Sequence, residues 1–146
     1  MLKDALMNDT SLLLPLFAQI LLVFIVWAEL YRRRLKYLLE NKIDPQKLAV
    51  KSDAVKILEP VQNPSDNFSH QFEIPVLFYV AILTAFVTGL SGTLLTGLFW
   101  GFIVTRYIHA YIQCTSNVIM TRFKVYAVST SLLWIAWIVM AVQLYF

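Results

Sequence analysis

Apolar residues gather into four blocks, at approximately 12–31, 72–90, 93–112 and 125–145, with polar segments between them. Each block approaches or exceeds the ~20 residues that a bilayer-spanning helix needs. The pattern predicts an all-α integral membrane fold, a four-helix transmembrane bundle forming one domain over 1–146. The polar segment at 32–70 reads as a loop. Its centre places Leu48, Val50, Ala54, Val55 and Leu58 among Lys and Asp residues, which predicts a short amphipathic helix lying on the surface or on the bundle. Pro60 and then Asn63-Pro64-Ser65-Asp66 turn the chain, and Ser65, Asp66 or Asn67 is expected to cap the second span. Only Ser91-Gly92 or so separates the second block from the third, which forces an antiparallel helix hairpin. Gly97 and Gly101, four apart, give the third span a small-residue face on which another helix backbone can pack closely.

Composition supports a membrane protein. The chain is 59% hydrophobic and 14% charged, against about 45–50% and 25% in soluble domains. Lys3 precedes the first apolar block, but that block is longer than the apolar core of a signal peptide and no small-residue cleavage site closes it, so it reads as a retained span. The single cysteine, Cys114, excludes an internal disulfide framework and reads as a buried apolar thiol.

Charge sets the expected orientation. Arg32, Arg33, Arg34, Lys36, Lys42, Lys47, Lys51 and Lys56 all lie between the first and second blocks. Arg122 and Lys124 lie in the connection between the third and fourth, and the turn at 89–92 carries no charge. Basic loops favour the cytoplasmic side, which puts both termini on the other face of a multi-pass cell-membrane protein. A basic run beside a span is better matched to anionic lipid headgroups than to nucleic acid.

The candidate chemistry lies where polar residues enter the spans. Arg106 and His109 are one turn apart in the third block, and Gln113 continues their stripe. A cation in hydrocarbon costs roughly 2.5–3.5 kcal/mol unless it finds a partner or a wet cavity. His70 and Glu73 start the second span, Arg122 and Tyr126 start the fourth, and Arg32–Arg34 end the first, all at one expected depth. Two readings remain open: a Glu73–Arg106 ion pair that fixes helix register, or a site for an anionic or polar ligand, since the cations outnumber the carboxylate. Metal-binding spacing, a serine nucleophile elbow and a phosphate loop are all missing from the sequence.

Arg106-x-x-His109, Arg122 sixteen residues after Arg106, Tyr126 four beyond it, and Glu73 in the run His70-Gln71-Phe72-Glu73-Ile74-Pro75 together resemble the MAPEG superfamily. This is the group of membrane-associated proteins in eicosanoid and glutathione metabolism, and the pattern is most similar to its bacterial-type branch. The resemblance implies a homotrimer with a ligand pocket between subunits that opens toward the cytosol. It implies glutathione as cofactor, held by Arg106, Arg122 and one of Arg32 or Arg33, with its thiol beside Arg122 as the catalytic residue. Glu73 would meet the ligand ammonium or orient an arginine, Tyr126 would stack or donate a hydrogen bond, and His70, His109 and Gln113 would line the pocket. The chain differs from the family signature at His70, where Asn is usual, and at Pro75, which follows Glu73 by two residues. Ser69 and Asp66 stand where some members have arginines, Gln113 where they have a tyrosine, and Phe123 where they have a serine.

Three functions compete at this point. One is a glutathione or similar thiol transferase, or peroxidase-like enzyme, acting on lipophilic small molecules from the membrane. Another is a non-catalytic lipid- or partner-binding protein of the same family. The third, a small proton-coupled exporter, is disfavoured by the long basic loop and by the place of Glu73 near the interface rather than the midplane.

Overall fold

The computed structural model describes residues 12–146; residues 1–11, with Lys3, lie outside the described part. Helix α1 spans Leu13–Glu40. A 3₁₀ turn at Pro45–Leu48 follows, in which the Asp44 carboxylate accepts from the Gln46 N–H at 2.9 Å. Then come α2 (Lys51–Leu58), a 3₁₀ turn at Glu59–Val61 and α3 (Asn63–His70). The remaining elements are α4 (Ile74–Thr88), α5 (Thr93–Cys114) and α6 (Ile119–Tyr145). No strand occurs among the described residues.

Among the described residues three helical stretches are long and apolar enough to cross a membrane: Leu13–Glu40, Asn63–Thr88 and Ile119–Tyr145. Their apolar windows are only 28%, 33% and 22% buried within the chain. Large side chains such as Phe17, Leu21, Phe24, Ile138 and Val142 face outward, as a hydrocarbon solvent requires. Helix α5 has 22 residues, about 33 Å at 1.5 Å per residue, so its length suffices. It falls outside the apolar set because Arg106, His109 and Gln113 interrupt its composition, and all three are buried.

The chain departs from the sequence expectation in the segment at 32–70. The first helix does not end near Tyr31 but continues to Glu40, because residues 32–40 are mostly strong helix formers with no breaker among them. The amphipathic helix is shorter than expected, and of its apolar set Leu58 is buried while Val50 and Val55 are exposed. The last part of the presumed loop is helix α3, which packs on α1 and α5 and counts with α4 as one candidate span. Ser65, Asp66 and Asn67 therefore lie inside α3 and cap nothing; Glu73 occupies the N-cap of α4 without a side-chain cap bond.

The tight turn between α4 and α5 is as expected. Gly89 adopts φ 70°, the left-handed region that lacks a Cβ penalty, and the Leu90 N–H reaches back to the Ala85 carbonyl at 2.9 Å. The hairpin is sealed by aromatic contact: Phe78 stacks on Phe102 with ring centroids 4.6 Å apart and meets Phe99 edge-on at 5.7 Å. Leu133, Ala136 and Met140 of α6 complete this core. The small-residue face is used by half: a Cβ on Gly101 would sit 3.1 Å from Leu132 of α6, whereas nothing lies within 4 Å of that position at Gly97.

A chain of buried amides ties the remaining elements together. Gln19 of α1 donates to the Gln71 carbonyl oxygen at 3.0 Å, and Gln71 donates to Asn67 at 2.9 Å. Asn67 in turn donates to Gln113 of α5 at 2.8 Å. All four side chains are buried. Gln71 lies in the break between α3 and α4, so this network holds the break against α1 and α5. The Tyr107 hydroxyl adds a bond to the Ala18 carbonyl at 2.8 Å.

Candidate functional site

The α3–α4 break, the C-terminal half of α5 and the first turns of α6 border a cleft of about 240 Å³. Its walls are His70, Glu73, His109, Ile119, Arg122, Phe123 and Tyr126. Five of the nine residues proposed from sequence thus meet in one place. They are delivered by several local features. His70 ends α3, and Glu73 sits three residues on, where the chain has left one helix and Pro75 has begun the next. His109 projects from a continuous α5, and Arg122 and Tyr126 share a face of α6 at i, i+4.

His70 Nδ1 lies 2.9 Å from Glu73 Oε2. The His70 and His109 rings meet edge-on with centroids 6.4 Å apart, and the Tyr126 ring lies 6.1 Å from His109. Arg122 donates from Nη1 to the Asn117 side-chain oxygen at 2.7 Å. Asn117 has φ 47°, a left-handed conformation that Asn tolerates better than most residues, and its amide donates to Asn63 at 3.1 Å. The α5–α6 connection is thereby fixed to the start of α3, and Arg122 is aimed by it.

Arg106 is 1% exposed and stands behind the cleft rather than on its wall. It donates from Nη2 to the His70 carbonyl at 3.3 Å, and its Nε has no partner. The Glu73–Arg106 ion pair considered from sequence does not form; the carboxylate is taken by His70 instead. The His109 Nδ1 is likewise buried without a partner. Buried polar atoms left unpaired each cost about 1–3 kcal/mol, and two of them lie beside this cleft.

Three of the proposed residues lie elsewhere. Gln113 continues the Arg106–His109 stripe but its carbonyl oxygen is used by Asn67, so it braces α3 against α5 and does not line the cleft. Arg32 and Arg33 border a second, larger groove of about 550 Å³ between α1 and a different face of α5. That groove is walled by Leu22, Val26, Tyr107, Ala110 and Cys114, with Glu29, Arg32 and Arg33 on its lining. Glu29 binds both arginines, accepting from Arg32 at 2.7 and 2.8 Å and from Arg33. Within one chain these cations do not join Arg122. Among the described residues no cluster of three or more metal-ligating side chains occurs.

Sequence reading missed Gln19, Asn67, Gln71 and Asn117. The signal for Gln19 was a lone amide in an apolar span, where an unpaired polar group is expensive. Asn67 was hidden by its apparent membership of a polar loop, as a possible cap, and Gln71 by its place at the loop's end.

This geometry coincides with a sequence match. The profile of the MAPEG family matches residues 12–142. The chain belongs to the MAPEG family. As a member it is a membrane protein of the superfamily concerned with eicosanoid and glutathione metabolism. No curated protein and no solved structure matches the chain.

Proposed function

We propose that this MAPEG protein is an integral membrane transferase that activates the thiol of glutathione, or of a similar thiol, for attack on lipophilic electrophiles. The observation that carries this reading is the cleft in which Arg122, Tyr126, His109, His70 and Glu73 meet, with the His109 Nδ1 on its wall and the Arg106 Nε behind it both lacking partners. A free thiol has a pKa near 8.5, so at neutral pH only a minor fraction is thiolate. The Arg122 guanidinium favours the ionised, nucleophilic form in a partly dehydrated cleft. The sulfur lone pair then bonds to the electrophilic carbon, and the thiol proton leaves through a base on the cleft wall.

In this reading the charged connections are cytoplasmic and the cleft opens to that side. All four long helices span the bilayer, and the functional unit is a homotrimer. Arg32 or Arg33 of a second copy would then supply the cation that the cleft lacks within one chain. The experiment is calorimetric titration of the purified full chain with glutathione, beside Arg122→Ala. Binding heat with a thiolate ultraviolet absorbance that Arg122→Ala removes supports the reading. Absence of binding heat at millimolar glutathione overturns it.

A second reading is supported by the larger groove: an apolar channel with a Glu29-held pair of arginines on its lining fits a lipid or partner protein without catalysis. Failure of glutathione to bind, with retention of anionic lipid through purification, favours that alternative.

A further inference from the structure

We propose that His70 and Glu73 form a proton-accepting dyad that takes the proton of the thiol, with Glu73 as the positioning residue. The inference rests on the thiol-transferase reading above and adds to it a base that the Arg122 guanidinium cannot supply, since an arginine does not deprotonate.

The dyad stands on geometry. The Glu73 carboxylate lies 2.9 Å from His70 Nδ1, close enough to hold the proton of a neutral imidazole on that nitrogen. The lone pair is then on Nε2, and both side chains line the cleft. A carboxylate that fixes imidazole tautomer and steadies the imidazolium formed on proton uptake is a recurring device of nucleophile activation. The backbone is fixed as well: Arg106 holds the His70 carbonyl, and Gln71, the next residue, is bonded to Gln19 and Asn67. The ring is therefore placed by its side-chain partner and by anchors on three helices.

Charged and titratable groups face His70 from several elements. Glu73 lies beside it, His109 meets it from α5, and Arg122 and Tyr126 face the same cleft from α6. Arg106 stands behind its carbonyl, and α1 brings Arg34 only as far as Ser65, at 3.5 Å, a turn earlier in α3. His109 cannot play the same part as readily, because its Nδ1 has no partner to select the tautomer.

The step balances. The S–H bond breaks, the proton moves to His70 Nε2, and the sulfur keeps its electron pair. With chlorodinitrobenzene as electrophile, the sulfur pair forms the C–S bond, chloride departs with the C–Cl pair, and the imidazolium then releases its proton to water.

The test follows conjugation of glutathione to chlorodinitrobenzene by the full chain in detergent or nanodiscs, as a function of pH, with calorimetry on the same samples. His70→Asn is expected to lower kcat by about 100-fold while leaving glutathione affinity within about threefold, as removal of a general base without loss of binding does. The low-pH limb of the rate profile should disappear with it. His70→Ala should regain rate when free imidazole is added, which a purely structural role for the ring would not produce. Glu73→Gln should lower kcat by about tenfold, since an amide no longer steadies the imidazolium. Thermal unfolding verifies that each variant is folded, and imidazole rescue keeps the test decisive if His70→Asn is unstable. Wild-type binding with unchanged kcat and pH profile in His70→Asn overturns the dyad and leaves the transferase reading standing. Lack of glutathione binding by the wild type overturns both.

Discussion

Gln71 offers the sharpest test of how this bundle is held. Its carbonyl oxygen accepts from Gln19 and its amide donates to Asn67, and all three side chains are 0% exposed. Gln71→Leu keeps roughly the same volume but removes both bonds at once. The Gln19 amide then loses its acceptor and the Asn67 carbonyl its donor, in a dry interface. An orphaned buried group costs about 1–3 kcal/mol, so two predict a loss of roughly 2–6 kcal/mol. Interhelical hydrogen bonds in membranes are often worth less, about 0.6 kcal/mol on average, because the unfolded segment also finds partners; this pulls the expectation toward the lower end. The assay is reversible unfolding in mixed micelles or bicelles, read by tryptophan fluorescence. The paired control is Asn67→Leu with Gln113→Leu, in which the donor and acceptor of the next bond are removed together. That double variant should be less destabilised than the sum of its single changes, because neither partner of that bond is left bare and only the Gln71 amide loses its acceptor. A Gln71→Leu loss below about 0.5 kcal/mol, within the range of ordinary surface substitutions, would refute the view that the amide chain holds the α3–α4 break.

Other outcomes follow from the same structure. Gly97→Ala should stabilise by up to about 1 kcal/mol through helix propensity, and Gly101→Ala should gain less because its new methyl meets Leu132 at 3.1 Å; equal effects would contradict the α5–α6 packing. Asn117→Gly preserves the left-handed backbone but frees Arg122, and is expected to weaken glutathione binding by about fivefold, about 1 kcal/mol for a lost charge-assisted positioning bond; the bond to Asn63 is lost with it, so the unfolding midpoint should also fall. Arg33→Ala tests assembly: binding lost in a sample that native mass spectrometry shows to be trimeric would mean that the larger groove's arginine reaches a neighbour's cleft, while unchanged binding would restrict the site to one chain.

Hydrophobic patterning alone determined the membrane character of this protein, its helical class and the α4–α5 hairpin at Gly89. These are local matters: a run of apolar residues of sufficient length, or a glycine at φ 70°, acts through its own segment. The MAPEG signature was also legible, because Glu73, Arg106, Arg122 and Tyr126 are marked by type and separation. What the sequence could not decide was which buried polar group finds which partner. Glu73 had two cations and an imidazole within reach by spacing, and only the packed break between α3 and α4 gave it to His70. Gln113 looked like part of the cleft because it shares a stripe with His109, yet Asn67 claimed it from a helix that the polar pattern disguised as loop. Arg32 and Arg33 were grouped with Arg122 by expected depth, but depth says nothing of direction around a helix axis, and α1 turns them to another face of α5. Polar partners are chosen by three-dimensional proximity at an ångström scale, to which periodicity along one chain is blind.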